Sequence, residues 1–312
     1  MRKRIKALLC TLLFVLSLGA ITFCAYQFYL YYADEAQSDA LLAELAALHA
    51  ASGTDDGSET GDHTINWLEA QSSESDGTAN SDEYQPDADG TTDAGGTILS
   101  SNEESLSDST AAVTDLPAVS VHGITALHER NSDCIGWLSI PGTVIDYPVM
   151  HTPSKKNYYL YRDFNGRKSY NGTLYVSEIC NPDTSDNVII YGHNMRSGKM
   201  FASLTNYKQK SYYEDHRYIV FETMSGAYLY EVMYALTTPV YTAHDFRYYN
   251  FADAANADEF NAYVSACASR ALYDTGVTVS YGDHLLTLCT CEYSQDNGRM
   301  LVVAKCIGSY ST

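Results

Sequence analysis

Three side chains beside strand-like runs could together perform acyl transfer. Cys291 closes the run Thr287-Leu-Cys-Thr-Cys291, His193 follows Val188-Ile-Ile-Tyr-Gly192, and Arg299 opens the run that continues through Ile307. A thiol nucleophile needs a neighbour that holds and releases a proton near neutral pH, and His is suited to that. The tetrahedral intermediate needs a fixed donor for its oxyanion, and Arg offers a permanent charge on a planar fork of N–H groups. Spacing alone does not single these three out, because eight cysteines and nine histidines make chance pairings easy. No C-x-x-C pair or His-x-x-x-His spacing offers a zinc site. Cys10 and Cys24 lie in an apolar N-terminal run. The other six, Cys134, Cys180, Cys267, Cys289, Cys291 and Cys306, are spread through a domain large enough to need no disulfide staples. Most of them read as small buried hydrophobes.

The elements that must position such a site are short strands. Gly136–Ile140 and Val144–Tyr147 are β-rich runs split by the turn signal Pro141-Gly142. Further strand candidates are Thr173–Val176, Val188–Tyr191, Tyr218–Glu222, Tyr228–Leu236, Val277–Ser280, Leu285–Cys291 and Leu301–Ile307. Many short strands with turn signals between them predict a mainly β fold, a closed or nearly closed barrel. One helix interrupts the series. Asn256 and Glu259 make a capping box, Phe260, Tyr263, Val264 and Cys267 share a face, and the stop falls near Tyr273 and Asp274 before Gly276. A shorter helix is expected over 120–130, packing Ile124 and Leu127.

Charge divides the chain. The formal net charge is −20, yet residues 34–118 hold 20 Asp and Glu and no Lys or Arg, so the acidity belongs to one segment. A nucleic-acid partner is not expected, because no basic face is available to replace phosphate counterions. Arg2, Lys3, Arg4 and Lys6 precede an uncharged run from Ala7 to Tyr32. At about 1.5 Å per residue the run can cross a hydrocarbon core of about 30 Å. The bases before it predict an N-terminus inside the cell and the bulk of the chain outside. Tyr26, Phe28, Tyr29, Tyr31 and Tyr32 suit the outer interface. A cleaved signal peptide would have a shorter apolar region ending in small residues, so an uncleaved anchor over 1–33 is the reading.

Residues 34–118 read as a mostly disordered acidic spacer. Leu41, Leu42, Leu45 and Leu48 have helical spacing, expected as a short solvated helix, with an outward extension of the anchor helix or pairing with a neighbouring chain as the alternatives. Beyond it, 51–118 is rich in Ser, Thr, Gly, Asp and Glu and lacks the apolar groups to offset ordering entropy. Ile65, Trp67 and Leu68 form an isolated apolar cluster there. From Val119 to the last residue the composition is globular, giving a catalytic domain over 119–312.

The wording around the three chemical residues resembles class B sortases, membrane-anchored cysteine transpeptidases of Gram-positive bacteria. The matching pieces are GWLSIPGTVIDYPV (136–149), NYYLYRDFNG (157–166), NVIIYGHNMRSGKMFASL (187–204), TLCTCEYS (287–294) and RMLVVAK (299–305), in family order. The resemblance implies a sortase-type closed β-barrel with an N-terminal helix and a helix inserted between late strands. It implies Cys291 as nucleophile, His193 as general acid/base and Arg299 as stabiliser of substrate and oxyanion. The substrate would be the C-terminal sorting signal of an exported protein, cleaved at a Thr carbonyl. The acceptor would be an amine of a peptidoglycan precursor, of a pilin or of another surface protein, and no metal or organic cofactor is implied. The family places a backbone donor just after the nucleophile, here the N–H of Glu292. Leu160, Asn157 and Tyr249 are expected to line the peptide groove, with Cys289 and Thr290 on the nucleophile's strand, although ordinary barrel surface is an equal reading for the groove residues.

Two features depart from the family pattern. Cys289 stands where a small polar residue is usual, and the acidic spacer is long. Cys289 either packs as a small groove residue or captures an oxidised Cys291 in a reversible disulfide. Other functions compatible with the same residues are a thiol hydrolase or cysteine protease, and a catalytically weak scaffold with a sortase fold. Arg in place of an Asn or Asp orienter counts against the first, and the presence of Cys, His and Arg counts against the second.

Overall fold

The structure, a computed structural model, describes residues 2–52, 64–65, 116, 119–242 and 246–310. Eight strands close into a barrel: β3 (Cys134–Ser139), β4 (Asp146–Met150), β5 (Leu174–Val176), β6 (Asn187–Tyr191), β7 (Tyr218–Thr223), β8 (Gly226–Pro239), β9 (Leu285–Cys291) and β10 (Gly298–Tyr310). Around the barrel they run β10-β8-β7-β3-β4-β5-β6-β9, and β9 pairs with β10 to close it. The pairs β4/β5 and β6/β9 are parallel and the others antiparallel. Closure leaves these eight strands without an unpaired edge, which suits strands this short.

Alternation along β10 shows how the core is divided. Met300, Val302 and Ala304 point into the barrel with Leu138, Val149, Leu174, Ile190, Phe221 and Leu288. Leu301 and Val303 point outward, under the helix Ala257–Ala268, beside Phe260 and Tyr263. That helix starts as expected: the Asn256 side chain accepts from the Glu259 N–H, and Glu259 accepts from the Ala255 N–H. It ends at Ala268 rather than near Tyr273, because the Leu272 N–H is taken by the Ala235 carbonyl of β8. The run Val277–Ser280, expected as a strand, is irregular chain that lays Val277 and Val279 on the outer cluster. The short N-terminal helix covers only Thr125–Arg130. Gly123 has φ +73°, which breaks a helix, and the N–H groups of His122 and Gly123 are spent on the Glu222 carboxylate.

One helix, α1 (Arg2–Ser52), carries both the apolar run and the leucine-bearing segment beyond it. The boundary drawn between residues 33 and 34 falls inside it. Its outer half is seated on the barrel rather than solvated: Leu45 is fully buried with Ile124, Leu127, Trp137, Tyr159 and Phe164. Asp34 accepts from the Ser169 hydroxyl and the Tyr170 N–H, Glu35 and Asp39 pair with Lys199, and Glu44 pairs with Arg130. His49 stacks on Trp137 at 4.2 Å and lies 3.3 Å from Glu222. Burial alone would raise the Glu222 carboxyl, but His49 and the two N–H donors outweigh it and hold it below the ordinary value. Strand β1 (Thr64–Ile65) pairs with β2 (Val119–Ser120). Trp67, Leu68 and nearly all of 51–118 lie outside the described residues.

Candidate active site

Register brings the three chemical residues to one end of the barrel. Arg299 on β10 is the cross-strand partner of Cys291 on β9. On the other side of β9, Tyr191 of β6 pairs with Cys289, so His193, two residues on, arrives level with Cys291. Gly192 permits that approach: a Cβ there would stand 2.5 Å from Leu174 and 2.7 Å from Phe201. The three residues line one groove of about 420 Å³, with Leu160, Asn157 and Tyr249 among its walls.

His193 is held by an acceptor that can only accept. Its Nε2 donates to the Leu160 carbonyl at 2.7 Å, so neutral His193 carries its proton on Nε2 and Nδ1 is the basic nitrogen. Burial lowers its pKa below the ordinary value of 6.5, and the Leu160 carbonyl offsets part of that. Tyr161 packs against the ring at 5.1 Å. The Arg299 guanidinium donates to the carbonyl of Gly298 at 2.9 Å, which fixes the fork over the strand end. Burial would lower its pKa, but electrostatic attraction to Cys291, the foremost of its acidic neighbours, outweighs this and raises it. Cys291 is partly exposed, and its carbonyl accepts from the Asn194 amide at 2.9 Å. Asn194 was not singled out from the sequence, although its place directly after His193 offered the signal.

The other expected residues divide. Leu160 contributes its carbonyl to His193 as well as a groove wall. Asn157 sits in the left-handed region at φ 54° and accepts from the Tyr175 hydroxyl at 3.0 Å. Thr290 is buried and donates to the Gly192 carbonyl. Cys289 is buried against the Tyr248 hydroxyl at 3.1 Å, and burial pushes its thiol up to about 12. Glu292 lies off the groove lining. Neighbouring residues of a strand end face opposite sides, and its carboxylate turns from the groove to Lys208 at 2.5 Å and to Ser294. Its N–H donates to the Gly298 carbonyl at 2.9 Å, closing the β9–β10 turn, so the donor expected for an oxyanion is already engaged. Sequence reasoning also missed Tyr175 and Tyr191, two of the six tyrosines that line the groove, and the Lys156–Glu178 pair at the mouth. Tyrosine is too frequent in this chain, at 27 residues, for type alone to mark them.

Comparison with known proteins agrees with this geometry. Residues 138–307 match the family model described as the sortase domain. Sortase B of Listeria monocytogenes is 34% identical over 220 residues, covering 66% of this chain and 85% of that protein. Sortase B of Staphylococcus aureus is 32% identical over 187 residues, covering 58% of this chain and 73% of that one. The solved Staphylococcus aureus sortase B–substrate complex superposes with a TM-score of 0.53 at 29% identity, covering 59% of this chain and 83% of that chain.

Proposed function

The chain belongs to the sortase family and is a sortase-type cysteine transpeptidase, and from that premise we propose that Cys291, His193 and Arg299 carry its reaction. The observation that supports this most is the register that sets Arg299 beside Cys291 and brings His193 level with both in one groove. The Cys291 thiolate attacks the Thr carbonyl carbon of a bound sorting signal. The C–N bond breaks, and protonated His193 delivers its proton to the departing amine. An incoming amine then attacks the thioester and gives a proton to His193, Cys291 leaves as thiolate, and a new amide remains. Arg299 meets the negative charge that develops on the carbonyl oxygen in both steps.

The groove walls, Leu160, Asn157 and Tyr249, hold the peptide. Acceptor amines come from a peptidoglycan precursor or from another surface protein, including a pilin. Among the described residues, one helix, at the N-terminus, is long and apolar enough to cross a membrane. In this reading that helix is a single-pass anchor with its N-terminus cytoplasmic, and the catalytic domain, 119–312, faces outward with the acidic segment between them.

A library of sorting-type pentapeptides incubated with the full chain, with and without oligoglycine, tests the assignment by mass spectrometry. A thioester mass on the Cys291 tryptic peptide, and amine-dependent diversion from hydrolysis to transfer, are expected. A thioester at any other cysteine would overturn it.

A further inference from the structure

Residues that meet α1 on the barrel lie at the height where the helix leaves the membrane. About 20 helical residues cross a hydrocarbon core. Counting from Ala7, which follows Lys6, that brings the outer boundary of the core close to Tyr26. The first ring contact of α1 with the barrel, Tyr31 against Tyr170, follows five residues later, about 7.5 Å further along the helix. A cleft of about 670 Å³ opens between Cys24, Gln27, Phe28, Tyr31, Tyr32 and Glu35 of the helix and Arg196 and Ser197 of the loop that follows His193, with the Glu35 carboxylate drawn to Lys199 at 3.2 Å. Tyr31 meets the ring of Tyr170 at 6.1 Å, and Asp34 is bonded to Ser169 and Tyr170.

The charges sort by direction. Acids on this part of the helix, Asp34, Glu35 and Asp39, are taken up by the barrel through Ser169, Tyr170 and Lys199. Arg196 is exposed on the loop, and Arg167 and Lys168 are exposed just before Tyr170. Tyr170 itself is 45% exposed. Two basic loops with an aromatic ring, flanking a transmembrane helix at its exit, suit the phosphate layer of a lipid leaflet.

We propose that the catalytic barrel docks on the outer leaflet through Arg167, Lys168, Tyr170 and Arg196, and that the cleft against α1 takes one phospholipid. The lipid phosphate meets Arg196, and its chain lies along Phe28 and Cys24. This rests on α1 being a membrane anchor. Its consequence is that the groove is held at a fixed, low height, because the docking loop and the catalytic His193 belong to one segment, joined by the Asn194–Met200 bridge and the Phe201 N–H to His193 carbonyl bond.

The test uses the full chain in phosphatidylcholine–phosphatidylglycerol vesicles, with an environment-sensitive fluorescent amino acid replacing Ser197 or Ser225 in separate proteins. Ser225 lies three residues beyond Glu222, which meets the far end of the seated helix at His49. Nitroxide carried on lipid headgroups should quench the probe at 197 several-fold more than at 225. Adding Arg196→Glu, Arg167→Glu and Lys168→Glu should remove most of that excess. Equal quenching at both positions, in protein that pellets with the vesicles, overturns docking and leaves the anchor standing. Failure to pellet overturns the anchor and the docking with it. Cleavage of a soluble peptide in the same samples reports separately on the groove.

Discussion

Two faces of the barrel, the groove and the seat of α1, use polar groups in opposite ways. On the seat, polar groups tie the helix down: Glu35 and Asp39 share Lys199, Glu44 meets Arg130, and His49 lies beside Glu222. In the groove, burial moves groups away from their ordinary state, lowering His193 and raising the thiol of Cys289. Paired charge holds a helix in place. Perturbed groups aimed into an open cleft can exchange protons with a substrate. The difference separates what the molecule uses to position from what it uses to react.

Substitutions in the groove should therefore abolish turnover without loosening α1, and those in the seat should do the reverse. Cys291→Ala is expected to remove both cleavage and transfer, read as released and ligated peptide, since no other thiol among the described residues occupies that strand end in a partly exposed position. Arg299→Lys is expected to lose about a hundredfold in kcat/KM, about 2.7 kcal/mol, because a point charge does not reproduce the fork. Near-normal turnover in either variant would remove the chemical half of the comparison.

The seat is broken at Leu45. Leu45→Ala leaves a cavity among Ile124, Leu127 and Trp137 and is expected to cost about 2–5 kcal/mol at that interface. Hydrogen exchange of residues 34–52 should accelerate, while kcat/KM on a soluble peptide stays within a small factor of wild type. If peptide cleavage fell in parallel with the exchange protection, the two faces would be one cooperative unit and the contrast would fail.

How much of this could be read in advance obeys the same division. The strands of the barrel are short β-rich runs bounded by turn residues, so most were legible, as was the end-of-strand placement of Cys291, His193 and Arg299. Val277–Ser280 has strand composition, yet it runs as irregular chain. Pattern cannot tell such a segment from a strand, because pairing is decided by register elsewhere. The seat was not legible. Its contacts are single residues whose partners lie far along the chain, such as Glu35 and Lys199, 164 residues apart. Leucines at helical spacing look the same whether they face water or a barrel. At Glu292 the β9–β10 turn sets the local geometry, with its N–H bonded to the Gly298 carbonyl, a detail that residue type does not reveal.

A pH profile sharpens the electrostatic side. His193 is lowered from 6.5 by burial, so the acid limb of kcat/KM should fall below pH 6.5, and activity should hold as pH drops from 7 toward that value. The contribution to stability also falls in acid. Below about 6.5 the unfolded chain binds a proton that folded His193 resists, so this group lowers stability in acid and has no effect well above that pH. An acid limb centred above 6.5 would mean that an unmatched negative charge, rather than burial, governs the imidazole.

The smallest effect is expected at Cys289, the residue in which the two kinds of environment meet. It faces the groove, as a strand neighbour two residues from Cys291 should. Yet it is 1% exposed and lies against the Tyr248 hydroxyl. Capture of a sulfenic acid on Cys291 would need the Cys289 thiolate, and a thiol pushed up to about 12 is almost wholly protonated at neutral pH. A one-residue disulfide would also be strained, since its Cα atoms sit on one extended strand. These terms favour packing over a redox lock. Cys289→Ser keeps a hydrogen-bonding group against Tyr248 and should leave kcat/KM within about a factor of two. After mild peroxide and then reductant, wild type and Cys289→Ser should recover the same fraction of activity. Recovery by wild type alone would show that Cys289 reaches Cys291 despite its burial, and would make this strand end a redox switch as well as a catalytic one.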